Sequence, residues 1–128
     1  MNEGNCVFVV DDDPSARGGL ARLVRTAGFS VHEFASAAGF LEALDSLASG
    51  CLVLDARMSG EELRIRLEGR DVPLPVIVVS ADDDPDTRQW AQDLHATVFF
   101  RKPVDGAALL DAIRWELRPN PGFRNTSP

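Results

Sequence analysis

The sequence is poor in cysteine, in positive charge and in long apolar runs, and each shortage excludes a class of protein. Its 128 residues include two cysteines, Cys6 and Cys51, which both open apolar runs. We therefore expect buried free thiols rather than a disulfide scaffold. The 13 Lys and Arg against 20 Asp and Glu leave a net charge of -7, which disfavours a broad nucleic-acid or anionic membrane surface. No apolar run approaches the ~20 residues of a membrane span, and no secretory signal is visible. These absences predict a cytoplasmic chain without direct nucleic-acid or membrane binding.

What the sequence does contain is a regular alternation of short β-rich runs and segments of helical period. The predicted strands are residues 6–10, 30–34, 51–54, 76–79 and 97–100. The residues predicted to cap the intervening helices are Asp13, Ser36, Asp84 and Asp105. The glycines predicted to end helices are Gly28, Gly50 and Gly69. Five β-α units in strict alternation predict an α/β fold, a doubly wound five-stranded parallel sheet with helices on both faces.

Polar side chains follow four of the predicted strands. In chain order they are Asp11-Asp12-Asp13, Asp55, Ser80 and Lys102-Pro103. The carboxyl ends of parallel strands meet at one edge, where such sheets bind ligands. Carboxylates brought close there repel one another, and Mg²⁺ would relieve this because it prefers oxygen ligands. A lysine and a hydroxyl beside the metal favour an anionic ligand with several oxygens, best a phosphoryl group.

Other acidic residues near these strand ends are predicted to have structural roles. Asp13 precedes Pro14 and is predicted to cap a helix, and Asp84 precedes Pro85 in the same way. The neighbouring Asp82 and Asp83 are expected to form a solvated acidic loop.

Four segments, "VFVVDDDPSA", "LVLDARM", "VIVVSA" and "FFRKPVD", resemble the receiver domain of bacterial two-component response regulators. The resemblance extends over about residues 6–117, and in detail it is greatest to receivers that carry a LuxR-type output domain. It implies a (βα)5 flavodoxin-like fold with strand order 2-1-3-4-5. Residues 1–118 would form the receiver domain, and 119–128 a flexible tail or the start of a linker. The resemblance also implies a signalling module that promotes only its own phosphotransfer and dephosphorylation, not an enzyme with a separate substrate.

The same resemblance assigns roles to individual residues. Asp55 would be the phosphoacceptor. Mg²⁺, or Mn²⁺ in its place, would be held by Asp11, Asp12, Asp55 and the backbone carbonyl of Arg57. The phosphoryl group would be contacted by Lys102, Ser80 and Ala81. Ser80 and Phe99 would be the switch residues, and the bond preceding Pro103 would be cis.

The implied partners are a sensor histidine kinase or phosphotransfer protein, which would donate the phosphoryl group, and an output domain or downstream protein. A homodimer through the fourth helix, fifth strand and fifth helix is a further expectation. Trp90 and Trp115 lie on those two helices and are either partly buried core aromatics or part of an interface. His95 stands where the family has a glycine at a helix end, and histidine tolerates left-handed backbone better than most residues.

The loop after Asp55 departs from the family pattern. The usual pattern of the family is D-x-x-M-P-x-M-x-G, whereas this chain has "DARMSG", which is three residues shorter. Ser59 and Glu62 match a capping box, so the next helix can begin directly after this short loop. Two alternatives therefore stay open. One is a degenerate, phosphorylation-independent receiver that acts as a protein-interaction module. The other is an aspartate-nucleophile phosphohydrolase of the haloacid-dehalogenase type, in which Asp11 and Asp13 would be nucleophile and acid.

Overall fold

The structure is a computed structural model and describes residues 6–46, 49–55, 61–69 and 74–118. Its elements in chain order are β1 (Cys6–Val10), α1 (Pro14–Thr26), β2 (Ser30–Phe34), α2 (Ala37–Ala43) with a 3-10 turn (Leu44–Ser46), β3 (Gly50–Asp55), α3 (Glu61–Glu68), β4 (Val76–Ser80), α4 (Pro85–Asp93), β5 (Val98–Arg101) and α5 (Gly106–Leu117). The strands form one parallel sheet in the order β2-β1-β3-β4-β5. The predicted doubly wound sheet and its strand order are confirmed.

The core consists of two layers of side chains, one on each face of the sheet. Alternate residues of the central strands point to opposite faces, so that Phe8 packs toward α2 to α4 and Val9 toward α1 and α5. Strands β3 and β4 are buried along their whole length, as continuous apolar runs in a parallel sheet should be. Each fully buried Val, Leu, Ile or Phe stabilises the fold by roughly 1.5–3 kcal/mol. This packing holds the carboxyl ends of the central strands in fixed positions.

Four of the five predicted helix caps are confirmed. In each, a side-chain oxygen accepts a hydrogen bond from a backbone N–H in the first helical turn, and the acceptors are Asp13, Ser36, Asp84 and Asp105. Such a cap contributes about 1 kcal/mol relative to alanine. The expected left-handed residues are also observed, because φ is 102° at Gly28 and 59° at His95.

Gly50 does not end a helix as predicted. The helical segment before it gives way earlier, at the 3-10 turn, and Gly50 is the first residue of β3, paired with Cys6 of β1. A Cβ at this position would overlap the carbonyl oxygen of Cys6 and lie 2.9 Å from Cε2 of Phe8. The glycine therefore serves the close approach of two strands.

Smaller differences concern boundaries and burial. Strands β3 and β4 extend to Asp55 and Ser80, each one residue further than predicted, and β5 starts and ends one residue later. Cys51 is a buried free thiol as expected, whereas Cys6 is only partly buried. Within the described residues, no helix is long and apolar enough to cross a membrane. The predictions for Arg57, for the Ser59 cap and for the tail at 119–128 lie outside the described residues.

Candidate functional site

The carboxyl edge of the sheet gathers the polar residues that the sequence places at strand ends. Asp11 follows β1, Asp55 ends β3 and Ser80 ends β4. Their exposed fractions are 0%, 1% and 3%, and no other polar or charged residue in the described part of the chain is so buried. Burying a carboxylate is costly unless its charge is compensated. Two such groups at one edge therefore indicate a site selected for chemistry rather than for stability.

Three carboxylates at this edge form an acidic cluster that fits a hard cation. Asp11, Asp12 and Asp55 each offer one oxygen, and the three oxygens lie within 4.8 Å of one another. Asp12 is exposed, whereas the other two are buried, so the cluster opens to solvent on one side. An all-oxygen donor set with access for water is the kind that Mg²⁺ or Mn²⁺ uses, and the residues present therefore fit a metal ion.

Asp11 is held by contacts to four different segments. Its Oδ1 accepts the N–H of Asp13 at 2.9 Å, and its Oδ2 accepts a hydrogen bond from Nζ of Lys102 at 3.3 Å. Its backbone N–H donates to the carbonyl of Phe34 at 3.1 Å, and its carbonyl accepts from Nη1 of Arg17 at 2.9 Å. Both its backbone and its side chain are therefore held in one orientation.

The pKa of Asp11 is raised above its ordinary value of 3.8. Burial is the main cause, and the nearby Asp55 carboxylate adds to it, while the N–H of Asp13 and the Lys102 ammonium act in the opposite direction. Burial therefore disfavours the ionised form of Asp11 in the folded protein. A bound cation would offset this cost.

In the absence of divalent cations, Asp11→Asn is expected to raise the free energy of unfolding at neutral pH. The folded-state pKa of Asp11 lies above 3.8. At pH values between 3.8 and this raised pKa, the folded protein therefore binds more protons than the unfolded chain. The wild type should therefore gain stability relative to Asp11→Asn as pH falls from neutral through the raised pKa. The asparagine keeps a carbonyl oxygen for the N–H of Asp13. Urea unfolding at about pH 7 and about pH 4, close to the ordinary value of 3.8, measures the difference.

A matched control for this prediction is Asp111→Asn on α5, where the side chain is 80% exposed. It should change stability by no more than about 0.5 kcal/mol at either pH. An Asp11→Asn protein that is less stable than wild type by the same amount at both pH values would contradict the assignment of a raised pKa to Asp11.

Lys102 connects the acidic cluster to the end of β5. Its Nζ lies 3.3 Å from Oδ2 of Asp11 and 3.9 Å from Oδ1 of Asp55, and its side chain is 23% exposed. Its backbone N–H donates to the carbonyl of Ser80 at 2.7 Å, and the Lys102–Pro103 peptide bond is cis. The ammonium group therefore points at the carboxylates, where it can also balance the charge of an incoming anion.

The loop after β4 contains an ion pair that was not predicted from the sequence. Asp84 caps α4 as predicted, and Oγ of Ser80 accepts the N–H of Asp82 at 2.9 Å. Asp83, however, is not simply solvated, because it accepts a hydrogen bond from Nε of Arg88. This contact lowers the pKa of Asp83 and raises that of Arg88. The sequence signal for this ion pair was the arginine that follows Asp83 by five residues, at position 88.

Arg88 also contacts the aromatic residue that the resemblance assigns to the switch. Its guanidinium carbon lies 4.4 Å from the centroid of the Phe99 ring, a cation–π arrangement. Phe99 is partly buried, and so is Trp90 on α4. Trp115 on α5 is 61% exposed, with the guanidinium of Arg118 stacked at 3.5 Å. The two tryptophans therefore differ: Trp90 packs against the core, and Trp115 does not.

A doubly wound five-stranded sheet with buried acids and a lysine at its carboxyl edge defines a receiver-type signalling domain. The chain belongs to the response regulator receiver domain family, whose family model matches residues 7–114. It is thus a receiver of the two-component response regulators, as the sequence resemblance indicated. This family membership argues against the phosphohydrolase alternative. Asp13, which that alternative needs as an acid, caps α1.

The similar proteins are response regulators of greater length. The chain is 40% identical over 120 residues to the transcriptional regulatory protein FixJ of Azorhizobium caulinodans, covering 91% of this chain and 57% of that protein. It is 35% identical over 130 residues to the response regulator protein TodT of Pseudomonas putida, covering 99% of this chain and 57% of that protein. The chain therefore spans less than three-fifths of the length of these relatives.

Solved structures agree in fold. The response regulator StyR shares 42% identity with a TM-score of 0.78, covering 93% of this chain and 62% of that one. Full-length FixJ from B. japonicum shares 34% identity with a TM-score of 0.80, covering 89% and 58%. A CheY-like receiver from Methanospirillum hungatei has a TM-score of 0.79 at 19% identity, which shows the shared fold alone.

Proposed function

We propose that this chain is a phosphorelay receiver in which Asp55 accepts a phosphoryl group in a Mg²⁺-dependent reaction. The observation that supports this best is the Asp55 carboxylate, which is 1% exposed and ends β3 within the acidic cluster, 3.9 Å from Nζ of Lys102. The donor would be a phosphohistidine on a sensor histidine kinase or phosphotransfer protein, or a small acyl phosphate. The chain would act as a signalling module and not as an enzyme with a separate substrate.

The reaction requires positioning and charge balance more than acid–base catalysis. An Asp55 oxygen attacks phosphorus, and the donor imidazole or acetate leaves with the electron pair of the broken bond. Lys102 supplies a fixed positive charge beside the developing charge on the phosphoryl oxygens. Mg²⁺, or Mn²⁺ in its place, held by Asp11, Asp12, Asp55 and the carbonyl of Arg57, would neutralise further charge when bound. The product is an acyl phosphate carrying about two negative charges.

The proposed response to phosphorylation begins at Ser80. Its buried hydroxyl oxygen accepts the N–H of Asp82, and it would turn to donate to a phosphoryl oxygen, with the N–H of Ala81 as a second donor. Phe99 would then move into the space that Ser80 leaves. The surface formed by α4, β5 and α5 would change, which shifts the population between two states.

Arg88→Ala is expected to make phosphorylation by acetyl phosphate about two- to fivefold faster. The cation–π contact favours the present position of the Phe99 ring, and its loss lets the ring move more readily. The measurements are the time course of phosphorylation and the intrinsic tryptophan fluorescence, to which Trp90 on the same helix contributes beside Trp115. Arg114→Ala is the control, because its side chain is 54% exposed against 53% for Arg88 and pairs with Asp111. Equal rates in the two variants would refute the role of Arg88.

The partners proposed downstream are an output domain or a separate target protein. The chain spans less than two-thirds of its relatives, which is consistent with an output region elsewhere in a longer regulator. The 61% exposed Trp115 favours an interface on the face formed by α4, β5 and α5, for an output domain or for a homodimer. With a net charge of -7, we propose no direct contact of this chain with nucleic acid or membrane, and a cytoplasmic location.

A degenerate receiver that binds partners without phosphorylation is the second candidate. The shortened "DARMSG" loop after Asp55 favours it, because this loop contains Arg57, whose carbonyl is a proposed metal ligand. Such a receiver would neither bind Mg²⁺ at the acidic cluster nor form an acyl phosphate.

The two candidates differ in the mass of the protein after incubation with acetyl phosphate and MgCl₂. The proposed function predicts a gain of about 80 Da that is lost in Asp55→Asn and in the presence of EDTA. An unchanged wild-type mass would favour the degenerate receiver. The same gain in Asp55→Asn would show that another residue is the acceptor.

A further inference from the structure

Arg17 on α1 contacts Asp11, the residue that follows β1, and Glu33 on β2. Its Nη1 donates to the carbonyl of Asp11 at 2.9 Å, and its Nε lies 3.4 Å from Oε1 of Glu33. The side chain is 19% exposed, so most of its length is packed against the protein. The guanidinium group therefore connects the edge strand to the strand end that bears two of the three clustered acids.

The carbonyl that Arg17 contacts belongs to the peptide unit between Asp11 and Asp12. A peptide unit is planar, so the direction of its carbonyl restricts the backbone on both sides and with it the directions of the two carboxylates. A hydrogen bond from Arg17 thus acts on the orientation of the acidic pair without touching either carboxylate. Hydrogen bonds of this kind behind metal ligands commonly change metal affinity by about tenfold or more.

The charge of Arg17 is balanced by Glu33. A guanidinium group close to a cation site would by itself repel the cation. The ion pair with Glu33, whose side chain is 31% exposed, offsets this repulsion while leaving Nη1 bonded to Asp11. Arg25 also pairs with Glu33, at 3.3 Å, and its Nη2 is 3.5 Å from the carbonyl of Val31.

We propose that Arg17 is a positioning residue of the metal site, which orients the Asp11–Asp12 peptide unit so that both carboxylates face the cation. Glu33 holds the guanidinium group and balances its charge. The inference rests on the proposed function, because it concerns the same acidic cluster, but it assigns a role to a residue outside the cluster and outside the phosphoryl-contacting set.

The test is calorimetric titration of the full chain with MgCl₂. Arg17→Ala is expected to weaken Mg²⁺ binding about tenfold, whereas Arg25→Ala should stay within about twofold of wild type. Arg25→Ala is the matched control, because it removes the same charge from the same helix and breaks a contact with the same Glu33. Arg17→Lys keeps the charge but lacks the fork that reaches two partners, and an intermediate loss is expected.

Whether Mg²⁺ affinity falls or rises in the Arg17 variants distinguishes a positioning role of Arg17 from a purely electrostatic one. Loss of a positive charge near a cation site should tighten binding if Arg17 acted only through its charge. Tighter or unchanged Mg²⁺ binding in both Arg17 variants would therefore overturn the proposal while leaving the proposed function intact. A wild-type protein that fails to bind Mg²⁺ would overturn the proposed function and this inference together. Thermal melts ensure that affinities are compared on folded protein, and Arg17→Lys serves if Arg17→Ala does not fold.

Discussion

Lys102→Ala is expected to slow phosphorylation of Asp55 by about 100-fold. Its Nζ lies 3.9 Å from Oδ1 of Asp55 and 3.3 Å from Oδ2 of Asp11, and its side chain is 23% exposed. Removing one such group from a preorganised site typically costs about 10²–10³ in rate. The rate is measured as the time course of the mass gain with acetyl phosphate at saturating MgCl₂.

A second measurement distinguishes this effect from general damage to the site. Loss of the Lys102 ammonium removes positive charge from the acidic cluster, so Mg²⁺ affinity should stay the same or rise while the rate falls. Lys102→Arg, which keeps the charge, should lose less activity than Lys102→Ala. Because Lys102 is the only lysine in the sequence, isotope labelling of lysine ε-amines gives a single signal that reports its environment. A Lys102→Ala rate within about threefold of wild type would contradict the assigned role.

Gly50→Ala is expected to lower the free energy of unfolding by about 3 kcal/mol. The added Cβ would overlap the carbonyl oxygen of Cys6 and lie 2.9 Å from Cε2 of Phe8, which is fully buried. Backbone of β1 cannot move aside without disturbing its pairing with β3, so the cost resembles that of an overpacked core. Urea unfolding monitored by circular dichroism measures the change.

Gly19→Ala provides the control with the opposite sign. Gly19 lies inside α1, and a Cβ there meets nothing within 4 Å. Alanine in a helix interior is more favourable than glycine by about 0.5–1 kcal/mol, so this variant should be stabilised. If Gly50→Ala were as stable as wild type, the close approach of β1 and β3 at this position would be wrong.

The elements that local physics determines could be predicted from the sequence. Asp13 followed by Pro14 has few roles other than a helix cap, and continuous apolar runs such as 76–79 predict buried strands. Because all strands are parallel, their carboxyl ends meet at one edge, and the residues that follow them could be grouped without knowledge of any contact. The proximity of Asp11, Asp12 and Asp55 was predictable for this reason.

The features that depend on distant contacts could not be predicted. A glycine after a helical pattern suits either a helix end or a close approach of strands, and only the pairing of Gly50 with Cys6 decides between them. Arg17 shows no motif of its own, because its two partners are a backbone carbonyl and an acid on a different strand. The contact of Arg88 with Phe99 likewise joins α4 to β5 and leaves no local pattern.

The most direct test of the proposed function is to locate the phosphoryl group on the wild-type chain. Reduction of an aspartyl phosphate with borohydride converts that residue to homoserine, whereas an unmodified aspartate does not react. After incubation with acetyl phosphate and MgCl₂, reduction and peptide mass analysis should find homoserine at position 55, and EDTA should prevent it. Homoserine at another aspartate, or at none while the protein remains folded and Mg²⁺ is present, would contradict phosphorylation of Asp55.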